Sequence, residues 1–148
     1  MASQIGVPCV VKLLVGLILQ QYIGTRPGQD QRVWVIGGQV LGAMLRRSTD
    51  GSFKANISRG GNGEAFALNP ELEQLAAQAA AAVNLDIAGV DLLFDGSGYS
   101  VCEVNSAPGF AGFEAATGHN VARAVLQHVL SRLSDSGYRP HIAMATSL

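Results

Sequence analysis

The chain has 148 residues, a length that fits one domain with one hydrophobic core. Hydrophobic residues make up 48% of it and charged residues 14%, a composition that excludes a disordered protein. Ten basic and eleven acidic residues give a formal charge of −1, so we expect no binding to nucleic acid or to an anionic membrane surface.

The stretch 7–23 is the most apolar part of the chain, but it is not expected to cross a membrane. It is interrupted by Pro8, Lys12, Gln20 and Gln21, and it falls short of about 20 clean apolar residues. No basic region precedes it and no small-residue cleavage site follows, so a signal peptide is not expected either. We therefore predict a cytoplasmic protein.

The first part of the chain is predicted to form strands. Residues 7–14 and 17–23 are rich in Val, Ile and Leu and indicate two buried strands with only two residues between them. Residues 32–36 and 39–47 flank Gly37-Gly38, a dipeptide that tolerates the positive φ of a tight turn. We predict a β-hairpin there.

A polar, glycine-rich segment follows at 48–64. Its glycines, Gly51, Gly60, Gly61 and Gly63, favour an irregular loop over a regular element. Long loops in compact domains are usually functional, which makes this segment a candidate site.

The second half of the chain combines helices and strands. Asn69-Pro70 indicates a helix start, and apolar residues at helical spacing extend the helix to about residue 84. Two strands, 87–94 and 99–105, surround the turn 95–98, and a final helix carries an apolar face from Val121 to Leu133. We predict one α+β domain over residues 1–148, with a mixed or antiparallel sheet layered with helices.

Three polar residues of the second strand pair predict a metal site. Asp91 lies in an apolar strand, where an ionised carboxylate needs a cation or hydrogen-bond donors. Glu103 and Asn105 are two apart and share one face of their strand. A three-residue loop with Gly98 in the left-handed conformation would set Asp91 opposite Glu103, whereas a four-residue loop would require a bulge. Oxygen ligands of this kind suit magnesium bound with a phosphate-bearing substrate such as ATP.

Each of these residues also has a simpler interpretation. Asp91 could accept backbone hydrogen bonds, and Glu103 could be an exposed edge residue. Lys12 either extends to the surface or contacts a phosphate as a point charge. Loop residues such as Arg59 could contact phosphates or a developing acyl phosphate, or be merely solvated. Cys102 alternates with Glu103 and is expected to be a buried structural thiol.

Three separated segments resemble the RimK family of ATP-grasp ligases. They are residues 53–61 (FKANISRGG), 88–93 (AGVDLL) and 102–109 (CEVNSAPG), and their order and spacing are similar to the family from about residue 7 to 129. The resemblance implies the ATP-grasp fold, in which ATP lies between two lobes. It also implies a ligase that uses ATP and Mg²⁺ or Mn²⁺ and forms an acyl phosphate. Such an enzyme would add an amino acid, with glutamate favoured, to the carboxylate of a protein C-terminus or a small metabolite.

The resemblance also assigns roles to single residues. By similarity, Lys12 would hold ATP phosphates, Gln21 and Tyr22 would form the strand that binds adenine through backbone groups, and Asp30 would bind ribose. Arg59 would face the reacting phosphate as the catalytic residue. The remaining residues are the nucleotide-binding loop triplet Lys54, Ala55 and Asn56 and the magnesium ligands Asp91, Glu103 and Asn105.

The chain departs from the family in several places. The family usually has glutamate at the position of Gln21 and arginine-serine at Lys54-Ala55. A glycine-rich loop and helix are missing between Gly16 and Leu17, and so is the N-terminal substrate lobe. The chain is therefore either a remnant or a sequence from which a segment has been closed up. Two alternatives to a glutamate ligase follow: a nucleotide-binding module without catalysis, or an ATP-grasp ligase for another amino acid. RimK-like proteins also suggest a homo-oligomer.

Overall fold

The computed structural model describes residues 10–12, 18–49 and 62–136, with the backbone alone for residues 10–12, 18 and 19. These residues form a separate two-stranded hairpin and a five-stranded antiparallel sheet with the strand order β5-β4-β3-β6-β7. The hairpin consists of β1 (Val10–Lys12) and β2 (Ile18–Gln20). The sheet consists of β3 (Gln29–Ile36), β4 (Gln39–Arg47), β5 (Asn62–Phe66), β6 (Ile87–Phe94) and β7 (Tyr99–Asn105). The helices are α1 (Pro70–Ala82), α2 (Ala111–Thr117) and α3 (Val121–Asp135).

The elements with strong local signals form as predicted. The β3–β4 hairpin turns at Gly37-Gly38, where both glycines have positive φ, 59° and 77°. Helix α1 begins after Asn69, whose side chain accepts a hydrogen bond from the Leu72 backbone N–H at 2.8 Å. Strands β6 and β7 have the predicted bounds. The α+β class with an antiparallel sheet is confirmed.

Several predicted bounds are wrong, and one helix was not predicted. Strand β3 begins at Gln29, before the predicted start at residue 32. Strand β2 ends at Gln20 instead of residue 23. Residues 62–64, predicted to be part of the loop 48–64, belong to β5, a polar edge strand that pairs with β4, and residues 50–61 lie outside the described residues. Helix α2 was not predicted; it has only seven residues, lacks a capping side chain at Phe110 and ends at Gly118 with φ 74°. Short helices without caps leave little signal in a sequence.

The sheet separates two apolar clusters. On one face, α1 packs its buried residues against Val33, Val35, Val90 and Leu92. The other face carries a smaller cluster, Trp34, Met44, Phe113 and Val121, which brings in α2 and the start of α3. Trp34 contacts Phe113 at a ring-centroid distance of 6.0 Å. The charged residues described below lie on this second face, beyond the aromatic cluster.

Helix α3 buries only its first turn. Val121 is buried, whereas Leu126 and Leu130 are 62% and 60% exposed. The predicted apolar face therefore exists as a pattern but is not covered within the described residues. His128 links the helix to the residue before β6 by a 3.0 Å contact between its Nε2 and Asp86 Oδ2. Of the helices that the structure describes, none is both long and apolar enough to cross a membrane.

Candidate functional site

The β6–β7 hairpin sets the two predicted acidic ligands opposite each other by means of a β-bulge. Phe94 pairs with Tyr99, which leaves a four-residue loop, and this register would place Asp91 opposite Cys102. The register shifts between Asp91 and Leu92, so that Leu92 pairs with Val101 while Asp91 pairs with Glu103. Cys102 is the extra residue of the bulge. The predicted pairing is confirmed, and of the two routes that the sequence left open, the four-residue loop with a bulge is the one that forms.

The turn of this hairpin is held by Asp95. Its Oδ1 accepts hydrogen bonds at 2.9 Å from the backbone N–H groups of Ser97 and Gly98 and from the Ser97 hydroxyl. Its Oδ2 accepts from the Ser100 hydroxyl at 2.7 Å. The Ser100 bond, with those from Ser97, lowers the pKa of Asp95 to about 2. Gly96, with φ 99°, takes the left-handed position that was predicted for Gly98.

Asp91 is compensated by two arginines that no sequence motif singled out. Asp91 is 5% exposed. Arg32 donates from Nε to Oδ1 at 2.5 Å and from Nη2 to Oδ2 at 2.6 Å. Arg46 approaches Oδ2 with its Nη2 at 2.8 Å. The expectation that cations compensate Asp91 is therefore confirmed. The carboxylate contacts arginine side chains, which differs from the alternative of backbone hydrogen-bond donors.

Arg46 joins Asp91 to a second aspartate. Its Nε and Nη2 donate to Asp30 Oδ1 and Oδ2 at 2.6 and 2.7 Å, a bidentate pair. Burial acts to lower the pKa of Arg46, but the hydrogen bonds and charges of Asp30 and Asp91 outweigh it and raise that pKa. Burial raises the pKa of Asp30 against the lowering effect of Arg46. The four side chains form a chain of opposite charges in the order Asp30, Arg46, Asp91 and Arg32.

Glu103 and Asn105 complete the predicted ligand set on the same face. Glu103 is exposed and, within the described residues, makes no hydrogen bond or ion pair. Asn105 is opposite Gly89, and its Oδ1 accepts from the Ala107 backbone N–H at 2.9 Å. Gly89 has no room for a side chain, because an added Cβ would lie 2.7 Å from Pro108 Cβ.

Magnesium fits the donor chemistry of this face. Directly opposed residues have Cβ atoms about 4.5–5.5 Å apart, so Asp91 and Glu103 can share one cation. Across residues 10–12, 18–49 and 62–136, no three acidic, histidine or cysteine side chains group as a metal site. A cation here would therefore need the Asn105 amide oxygen, water or substrate phosphates as further ligands, as is usual for magnesium.

The other predicted site residues are distributed as follows. Lys12 lies in β1 opposite Ile18, and its side chain is outside the described residues. Gln21 and Tyr22 follow β2 and belong to no strand, which corrects the predicted adenine-binding strand; Tyr22 is 67% exposed. The loop residues Lys54, Ala55, Asn56 and Arg59 are outside the described residues.

Cys102 differs from its prediction. It was expected to be buried, but as the extra residue of the bulge it is exposed. Desolvation by the surrounding protein, followed by the negative charge of Asp91, raises the pKa of its thiol. A raised pKa makes the thiolate, the nucleophilic form, scarcer, which favours the prediction that Cys102 is not a nucleophile.

Residues 4–129 match the RimK-like ATP-grasp domain. A probable alpha-L-glutamate ligase of Aliivibrio salmonicida (strain LFI1238) is 38% identical over 136 residues, which cover 92% of this chain and 45% of that protein. A probable alpha-L-glutamate ligase of Aeromonas salmonicida (strain A449) is 43% identical over 111 residues, covering 75% and 37%. The chain therefore spans less than half the length of these curated relatives.

Two solved structures share the fold. The ATP-grasp ligase PsnB, complexed with a phosphomimetic variant of its minimal precursor, Mg and ADP, has a TM-score of 0.58 and 25% identity over 71% of this chain and 32% of that one. A D-alanine–D-alanine ligase of Bacillus anthracis complexed with ATP has a TM-score of 0.58 and 18% identity, covering 81% and 43%. The fold is that of an ATP-grasp protein. The chain belongs to the RimK-like ATP-grasp family.

Proposed function

We propose that this chain is the catalytic part of a carboxylate–amine ligase that uses ATP and magnesium. The observation that carries the proposal is the direct pairing of Asp91 with Glu103, on the face that also presents Asn105. The names of the curated relatives and the Mg and ADP complex of PsnB support the same reading. We assign glutamate as the amino acid, and a protein C-terminus or a small-molecule carboxylate as the acceptor.

The proposed reaction has two steps. A carboxylate oxygen attacks the γ-phosphorus of ATP, the bond to the bridging oxygen breaks, and ADP leaves with formation of an acyl phosphate. The amino group of the incoming amino acid then attacks the acyl carbon, loses a proton and expels inorganic phosphate. Phosphoryl transfer of this kind depends on positioning and charge neutralisation more than on covalent help from the protein.

The proposed residue roles follow these needs. Asp91, Glu103 and Asn105 would hold magnesium, which when bound neutralises phosphate charge. Lys12 and the triplet at residues 54–56 would contact the phosphates, and Arg59 would stabilise the transferred phosphoryl group. Gln21 and Tyr22 would contact adenine, and Asp30 would contact ribose. For Asp30 this role requires sharing its carboxylate with Arg46, which already binds both oxygens.

The experiment that tests the proposal is phosphate release from ATP and magnesium. The chain, with its mass verified, is assayed with each common amino acid and a glutamate-containing acceptor. Release that depends on glutamate supports the proposal, and release that depends on a different amino acid replaces glutamate as the substrate. ATP binding without release favours a nucleotide-binding module without catalysis. The absence of the family's glycine-rich segment between Gly16 and Leu17 supports that alternative.

Lys12 offers a separate test of nucleotide binding. We expect Lys12→Ala to weaken ATP affinity in a calorimetric titration, because a point charge beside the phosphates is lost. Arg47→Ala, which removes an exposed cation paired with Glu64, is the matched control and should leave that affinity unchanged. Equal ATP affinity of Lys12→Ala and the unmodified chain would remove Lys12 from the site.

The cytoplasm, where ATP and reduced thiols occur together, is the proposed location.

A further inference from the structure

The carboxylate of Asp91 is already occupied by cations. An ionised carboxylate offers about four lone-pair positions to donors or metals. Arg32 Nε takes one on Oδ1, and the Nη2 atoms of Arg32 and Arg46 both bind Oδ2. One lone-pair position, on Oδ1, is left. A divalent cation beside Asp91 therefore meets two like charges, and it can bind both oxygens only by competing with a guanidinium for Oδ2.

The two arginines are not equally replaceable. Within the described residues, Arg32 is 8% exposed and its ion pair is with Asp91. If it left Asp91 it would be a buried, unpaired cation, which is strongly unfavourable. Arg46 makes one contact with Asp91 and two with Asp30. It can lose the first and remain satisfied by the other two, so the contact between Arg46 and Asp91 is the one that can exchange.

The charges of the cluster also favour exchange over simple addition. Asp91 and the part-buried Asp30 balance the buried Arg32 and Arg46, so the four groups are neutral together. Exposed Glu103, opposite Asp91, adds one negative charge at the side where a cation could enter. A divalent ion there brings more positive charge than Glu103 compensates. Of the two guanidinium groups that contact Asp91, that of Arg46 is the one that can move away.

From these contacts we infer that Arg46 holds the place of the metal at Asp91 and withdraws onto Asp30 when a divalent cation binds. This inference rests on the proposed function, since the cation is the one that the ligase would use. It makes Arg46 a positioning residue that keeps the affinity for free cations low. The negative charge of ATP phosphates would then be needed to bring the metal in, so that metal and nucleotide bind together.

The inference is tested by titrating the full chain with Mn²⁺ in the absence of nucleotide, following free Mn²⁺ by electron paramagnetic resonance. We expect Arg46→Met to bind Mn²⁺ roughly tenfold more tightly than the unmodified chain, because one charge-assisted contact no longer competes. Asp30→Asn/Arg46→Met is titrated beside it, because it removes the aspartate that the single change leaves unpaired. The matched control is Arg47→Met, which removes a neighbouring cation that binds Glu64.

Further variants separate the possible outcomes. The gain should appear in Asp30→Asn/Arg46→Met and disappear when Glu103→Gln is added, because the cation then lacks its second carboxylate. Unchanged Mn²⁺ affinity in the double variant would overturn the inference. So would an equal gain in Arg47→Met, which would indicate a general charge effect, or a gain that survives Glu103→Gln. Phosphate release from ATP is measured separately, and its failure alongside a preserved Mn²⁺ gain would count against the ligase and not against Arg46.

Discussion

Asp91 lies directly opposite Arg32 in β3 on one side and Glu103 in β7 on the other. The carboxylate is thus fixed from within the sheet by an arginine, while its acidic neighbour is exposed. The two opposed carboxylates therefore differ: that of Asp91 is held in place, whereas that of Glu103 is available to a ligand. This asymmetry lets structure and metal binding be separated by mutation.

Glu103→Ala is expected to abolish turnover that depends on magnesium while leaving the fold intact. The side chain is exposed and has no partner within the described residues, so its removal should change the free energy of unfolding by less than about 0.5 kcal/mol. Losing the proposed magnesium ligand should lower turnover by more than the roughly 10- to 100-fold typical of an outer-shell partner. Phosphate release and chemical denaturation measure the two quantities. Exposed Glu73→Ala is the control, and unchanged turnover in Glu103→Ala would refute the metal site.

Arg32→Met is expected to destabilise the fold by about 3–5 kcal/mol, because it removes the bidentate partner of a buried carboxylate. Arg32→Met/Asp91→Leu should cost much less than the sum of the two single changes, since it removes both charges and leaves Asp30 and Arg46 paired. Denaturant unfolding of the three variants gives the coupling energy. Additive effects would mean that the contact between Arg32 and Asp91 contributes little.

How far the sequence predicted this molecule depends on whether a signal is local. The β3–β4 turn and the start of α1 were predictable, because Gly37-Gly38 and Asn69-Pro70 determine local backbone geometry. Strand β5 was missed because its residues are polar, and its strand character comes from pairing with β4. The local sequence of β5 or α2 does not indicate which neighbouring element it packs against.

The candidate site likewise combines a local feature, which the sequence predicts, with contacts between distant residues, which it does not. The opposition of Asp91 and Glu103 could be anticipated, because both lie in one hairpin whose register can be counted. Arg32 and Arg46 could not be placed, because that requires knowing that β3 lies between β4 and β6. Arg32 pairs with a residue 59 positions away. Arg32 directly precedes the apolar residues 33–36, so a buried cation there needs a partner just as Asp91 does, and the same reasoning could have marked it as a candidate partner.

Gly89→Ala is expected to destabilise the fold by about 1–3 kcal/mol through overpacking. A Cβ there would lie 2.7 Å from Pro108 Cβ and 3.2 Å from Arg32 Cδ, so the segment after β7 or the arginine must move. Gly109→Ala is the matched control, because an added Cβ at Gly109 meets nothing within 4 Å. Thermal unfolding of both variants measures the difference. Equal stability of the two would show that the contact with Pro108 relaxes freely.

Asp95 should make the stability of the fold depend on pH below about 4. Its pKa is about 2 in the folded chain, against 3.8 for an unperturbed aspartate, so the unfolded chain binds more protons between these values. The stabilisation from the ionised carboxylate is therefore complete above the unfolded value and is lost as pH falls towards about 2.

Asp95→Asn tests this dependence. It should lower the free energy of unfolding by about 1 kcal/mol near neutral pH, a modest value because the group is partly solvated. The difference from the unmodified chain should shrink as pH falls from about 4 towards 2. Urea unfolding across that range measures it, with exposed Asp135→Asn as the control. A difference independent of pH would show that the turn needs the shape of the side chain and not its charge.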